Sequence, residues 1–271
     1  MRLSWKLGQV AGIDLFLHPT FLILLAIIGA TSQNSLLAVA LVTAVFGCVL
    51  LHELGHALMA RRFGIRTQDI TLYPIGGVAR LERMPKAPGA ELLIALAGPA
   101  VNVVLASALL GLQIAANVWV PGSIDSLAGS FAADLLTINL GLAAFNLIPA
   151  FPMDGGRVLR AALSGWLGRT RATEVAAHLG QALAIIFGVY SLSRGSIVQA
   201  ALAAFVFMAA RMELAQVLAE ERRRQTPHQS QNLGEGIWVA PPGYGWVNRG
   251  QGVWQLVPIG VHVSDQAQSW G

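Results

Sequence analysis

The sequence predicts an all-α polytopic membrane protein of about six transmembrane helices, with a small membrane-associated β-hairpin after the second. Three observations carry this. Apolar residues make up 55% of the 271-residue chain and charged residues only 12%, where a soluble globular protein has about 25% charged. The basic residues are segregated between loops. A His-Glu-x-x-His pair of metal-binding histidines, His52-Glu53-Leu54-Gly55-His56, lies inside an apolar run that enters from Leu36 without a charge.

A span needs about 20 mostly apolar residues. Six stretches qualify or come near: 15–30, 36–60, 92–118, 130–148, 175–192 and 197–218. The first and fifth are short. Seventeen of the 18 Lys and Arg fall in segments that alternating spans place on one side, and only Arg194 falls on the other. The positive-inside rule puts that side, and both termini, in the cytoplasm. The pI near 9.8 therefore reflects topology, and nucleic acid is excluded as a partner. The expected location is the cell's inner or plasma membrane, with the lipid bilayer as solvent. One cysteine, Cys48, excludes a disulfide framework and a cysteine-rich zinc site; it reads as a small buried hydrophobe. Between Thr67 and Leu81, β-branched residues flank Pro74-Ile75-Gly76-Gly77, the pattern of a hairpin. Residues 1–220 form the membrane domain. Residues 221–271 form a Gly/Gln/Trp-rich cytoplasmic tail in which Trp238, Trp246 and Trp254 recur every eight residues. The tail fits a small β-meander, an aromatic membrane-facing surface or a disordered segment equally well.

Two histidines four apart share a helix face and can reach one Zn²⁺ per chain, with Glu53 placed to act on a zinc-bound water. Three ionisable groups in a span are costly and mark function. A catalytic zinc takes a third protein ligand. Asp154 stands in Asn146-Leu147-Ile148-Pro149-Ala150-Phe151-Pro152-Met153-Asp154-Gly155-Gly156, at the cytoplasmic end of the fourth span and at the same depth as His52. The prolines break the helix there, and broken backbone at membrane depth lines cavities. The segment reads equally as a proline turn leaving the membrane, with Asp154 capping the next helix. Glu91, Glu174 and Glu213 are rival ligands outside any broken backbone, and Asp134 lies near the opposite face. Asn146 is a candidate for contacting substrate backbone, or a cap for its own helix. Asn102 beside Gly98 reads chiefly as helix packing. His18 and His178 read as structural.

His52-Glu53-x-x-His56 together with Asn146-x-x-Pro149-x-x-Pro152-x-Asp154-Gly155 resembles the site-2 protease family of intramembrane zinc metalloproteases. Gly98-Pro99-Ala100-Val101-Asn102 is similar to that family's glycine-and-asparagine motif, and Trp5 to His18 resembles the start of its bacterial and archaeal members. The resemblance covers residues 1 to 220. It implies His52, His56 and Asp154 as zinc ligands and Glu53 as the catalytic acid/base. It further implies cleavage of a single-pass transmembrane protein, already trimmed by another protease, near the cytoplasmic face. The roughly 50 residues after the last span are too few for the paired CBS domains of many relatives. Two other readings remain: a membrane zinc protease of another class with a downstream Glu ligand, and a non-catalytic metal-binding membrane protein.

Overall fold

The computed structural model describes residues 4–83, 85, 87–225, 239–249 and 253–259. Two strands open the chain, β1 (Trp5–Val10) and β2 (Ile13–Leu17), followed by helices α1 (Pro19–Thr31) and α2 (Ser35–Arg62). Strands β3 (Thr67–Tyr73) and β4 (Gly76–Leu81) come next. Helices α3 (Pro88–Trp119), α4 (Leu127–Asn146), α5 (Asp154–Leu167), α6 (Arg169–Ser193) and α7 (Ile197–Gln225) follow. By length and composition α2, α3, α4, α6 and residues 197–220 of α7 can cross a membrane.

The first expected span divides. Leu15 to Leu17 belong to β2, and α1 is a 13-residue apolar helix, too short to be counted among the five. The cause is a period of two: Ile13 and Leu15 are buried while Asp14 and Phe16 are half-buried, a strand pattern that ends where Pro19 starts a helix. The hairpin expected after the second span is β3–β4, turning at Pro74-Ile75 with Tyr73 opposite Gly76. It is half of a four-stranded sheet in the order β1-β2-β3-β4, with β2 and β3 parallel and the other pairs antiparallel.

The sheet is placed by α2. At about 100° per residue, Leu50, Leu54 and Ala57 fall on the side of α2 opposite His52 and His56. They pack with Ile13, Leu15, Ile70 and Ala79 of the sheet. The histidine side faces α3. There Gly55 lets the two helices touch: a Cβ on it would lie 2.8 Å from the Ala97 carbonyl oxygen and 2.8 Å from Val101 Cγ2. Small residues at a helix crossing are how membrane helices approach closely.

The proline segment after α4 is held by glycines. A Cβ on Gly155 would meet the Leu147 and Ile148 carbonyls, one on Gly156 would lie 2.6 Å from Phe151 N, and one on Gly180 of α6 would strike the Phe151 carbonyl. Phe151 N donates to the Ala176 carbonyl at 3.1 Å. Phe151 packs with Ala176, Ala177 and Ala210. The basic segment after α4 is not a solvated loop. Arg157 and Arg160 lie on α5, and Arg160 is fully buried. Cys48 is half-buried, and Asn139 Nδ2 donates to its sulfur at 3.3 Å.

The chain divides into two compact units, Met1–Glu221 and Arg222–Gly271. In the second, β5 (Tyr244–Asn248) and β6 (Trp254–Pro258) form an antiparallel hairpin, with Trp246 opposite Leu256 and Trp254 opposite Asn248. Trp238 lies outside the described residues.

Replacing Gly55 with Ala should force α2 from α3 and cost about 1–3 kcal/mol. A thermal midpoint in detergent or nanodiscs that stays at the wild-type value would refute this tight crossing.

Candidate metal centre

α2 presents His52 and His56 one turn apart, both buried, with Nε2 atoms 3.0 Å from each other. The first residue of α5, Asp154, brings its Oδ2 to 3.1 Å from both. A carboxylate at a helix N-terminus is also favoured by the helix dipole. Among the described residues this is the one group of three or more His, Cys, Asp or Glu side chains with converging ligand atoms.

The far sides of the rings decide what the near sides offer. His56 Nδ1 donates to the Ile94 carbonyl at 2.7 Å, and His52 Nδ1 donates to Asn102 Oδ1 at 3.0 Å. With the proton on Nδ1 in each neutral ring, both Nε2 atoms carry lone pairs. Two lone pairs and a carboxylate oxygen thus face one another within 3.1 Å. Such a set repels itself unless a cation lies among it. Two imidazoles and a carboxylate suit zinc, and three protein ligands leave the open position of a catalytic site. Gly98 keeps the space clear: a Cβ there would collide with His56 Nε2 and lie 2.6 Å from His52 Nε2.

Glu53 lies about 100° round α2 from His52, between the histidine face and the sheet face. It is half-buried, and Gly77 of β4 covers it so closely that a Cβ would lie 2.7 Å from Glu53 Cγ. His52, His56, Asp154 and Arg157 all act on its carboxyl group electrostatically. Asn146, the last residue of α4, is half-buried and stands before the proline break.

The rival ligands lie elsewhere. Arg160 Nε donates to Glu91 at 2.6 Å, and Arg160 Nη1 donates to Glu213 at 3.0 Å. Glu174 is half-buried on α6 outside the three-ligand group. Asp134 lines a cleft with Leu37, Leu41 and Phe131 near the opposite ends of α2 and α4. His18 caps α1 and stacks on Tyr73 at 5.0 Å, and His178 is exposed. Asn102, expected chiefly to pack, is fully buried and accepts from His52 Nδ1, orienting the ring. Its signal was the four-residue spacing from Gly98, which sets both on one face of α3.

Membrane-spanning helices enclosing a two-histidine, one-aspartate donor set define an integral, multi-pass membrane protein with a zinc site. Residues 40–119 and 122–187, over half of the chain, match Peptidase family M50, and the chain belongs to that family. It is 38% identical to a zinc metalloprotease of Methanocaldococcus jannaschii over 215 residues, 79% of this chain and 61% of that protein. It is 34% identical to a putative zinc metalloprotease of Synechocystis over 215 residues, 73% of this chain and 53% of the relative. The chain thus spans about three fifths and about half the length of these two relatives. The putative zinc metalloprotease Rip3 of Mycobacterium tuberculosis is 32% identical over 274 residues, covering 92% of this chain and 67% of its own. Among solved structures, the site-2 protease from Methanocaldococcus jannaschii shares 36% identity with a TM-score of 0.59, over 78% of this chain and 95% of that one.

Removing the orienting amide with Asn102→Ala should weaken zinc binding about 10–100-fold. Gly98→Ala should abolish stoichiometric zinc while the helices remain folded. Zinc content by elemental analysis, alongside circular dichroism, checks both.

Proposed function

We propose that this protein is a zinc-dependent intramembrane endopeptidase that cleaves a transmembrane segment of a membrane protein near the cytoplasmic face. The observation that carries the reading is the triangle of His52 Nε2, His56 Nε2 and Asp154 Oδ2, with Glu53 beside it on an apolar helix. His52, His56 and Asp154 hold the metal. A bound zinc ion acidifies water and polarises a carbonyl. Glu53 takes a proton from the attacking water and returns it to the leaving amine. Its half-buried setting beneath Gly77 keeps bulk solvent from that proton transfer. The side-chain amide of Asn146, half-buried at the end of α4, is the group that would donate to substrate backbone.

A helical substrate hides its carbonyls and must unwind to react. Of the two edge strands, β1 and β4, β4 is the one whose Gly77 lies against Glu53. It offers an edge on which an unwound segment pairs as an added strand. The substrate is a single-pass protein previously shortened by another protease, because a trimmed partner can approach a site enclosed by helices. The distribution of Lys and Arg supports cytoplasmic termini and an inner or plasma membrane location, with residues 1–220 as the protease domain and the remainder as a cytoplasmic tail. The Arg160 contacts of Glu91 and Glu213 speak against a protease with a downstream Glu ligand.

Purified protein, a labelled transmembrane peptide and a chelator test the reading together. Cleavage should require zinc. Glu53→Gln should lower it by about 10²–10⁴-fold with zinc retained, and Asp154→Ala should lose zinc while Glu174→Ala keeps it. Cleavage by Glu53→Gln at the wild-type rate would refute the proposal in favour of a non-catalytic metal protein.

A further inference from the structure

The mechanism above leaves one group of buried charges unused. Arg160 is fully buried near the middle of α5, with Glu91 from α3 and Glu213 from α7 on its guanidinium. Arg169, the first residue of α6, brings its Nη1 to 4.0 Å from the other Glu91 oxygen and donates to the Pro85 carbonyl at 2.8 Å. Two arginines and two carboxylates make a neutral cluster joining four helices. The Arg160 guanidinium carbon also lies 4.8 Å from the centre of the Phe151 ring, in the segment just before Asp154.

We infer that Arg160 is a positioning residue for the metal centre: its clamp on Glu91 and Glu213 fixes α5, and with it Asp154, in register with the α3 face that holds the two histidines. This rests on the zinc-site reading above. Glu91 lies one turn before Ile94, whose carbonyl fixes His56, and further along α3 come Gly98 and Asn102. Asp154 lies six residues, about 9 Å of helix rise, before Arg160. One side chain therefore ties the helix that orients both histidines to the helix that supplies the third ligand. Apolar packing alone would be as stabilising as a buried ion cluster or more so, so stability does not account for these charges. Direction does. The fork of a guanidinium holds two carboxylates at set angles, which an ammonium or a methylene chain cannot do. Phe151 extends the clamp, since its ring meets Arg160 and its backbone is fixed by Ala176 and Gly180.

Full-length protein in nanodiscs tests this with two probes: Zn²⁺ affinity by chelator competition, and the visible spectrum of bound Co²⁺, which reports ligand geometry. Arg160→Met should weaken Zn²⁺ binding about 10–100-fold, the range for residues that orient metal ligands. It should move the Co²⁺ spectrum toward that of Asp154→Asn. Arg160→Lys should restore only part of the affinity. Leu159→Ala, which loosens the apolar packing of the same helix, serves as the control and should lower the thermal midpoint while keeping affinity within about threefold, below the range above. If Arg160→Met does not fold, the pair Arg160→Gln with Glu91→Gln, which removes one charge of each sign and keeps the cluster neutral overall, is read in the same way. A folded variant of either kind with wild-type affinity and spectrum overturns the inference, as does an equal loss in Leu159→Ala. If wild-type protein itself binds no Zn²⁺, it is the metal-site reading that fails.

Discussion

Everything at this site depends on how closely α2 and α3 approach. The hydrogen bonds that fix both imidazoles come from α3, one from a backbone carbonyl and one from a side-chain amide. They form only because Gly55 and Gly98 remove the side chains that would hold the helices apart. Without that contact the rings would rotate, and their protons could sit on either nitrogen. With it, both Nε2 lone pairs are aimed at one point. Packing against α3 holds the three donors together, and a bound cation offsets their mutual repulsion.

The same helix carries two other surfaces, and their order round it explains the architecture. Leu50, Leu54 and Ala57 seat the sheet, the histidines face α3, and Glu53 lies between. This stretch of α2 therefore packs on two neighbours at once, the sheet and α3, with Glu53 at the seam between them. The sheet belongs with the candidate site because its Gly77 packs closely against Glu53.

What was legible in the sequence was whatever a local spacing encodes. His52 and His56 four apart, glycines and prolines around Asp154, and a Pro-Ile-Gly-Gly turn each imply a geometry within a few residues. Hydropathy marked the long helices for the same reason. Features that need distant segments to meet were hidden. The pairing of β2 with β3 joins residues separated by two helices, and it turned an expected span into a strand and a short helix. Arg160 looked like one more cytoplasmic positive charge, because a count of basic residues cannot distinguish a solvated arginine from one enclosed by Glu91 and Glu213. Asn102 was visible as a motif member, but its bond to His52 needed the helix crossing to be known.

The parallel pairing of β2 and β3 also bears on the bilayer. It requires the chain to leave and return on one side, through α1 and α2. At 1.5 Å per residue, the 13 residues of α1 rise about 20 Å, some 10 Å less than a typical hydrocarbon core. The sheet packs on α2 at Leu54 and Ala57, more than a turn before the helix ends at Arg62. The sheet and the Glu53 side of α2 therefore lie at one level along that helix, with Gly77 against Glu53 and nothing between them.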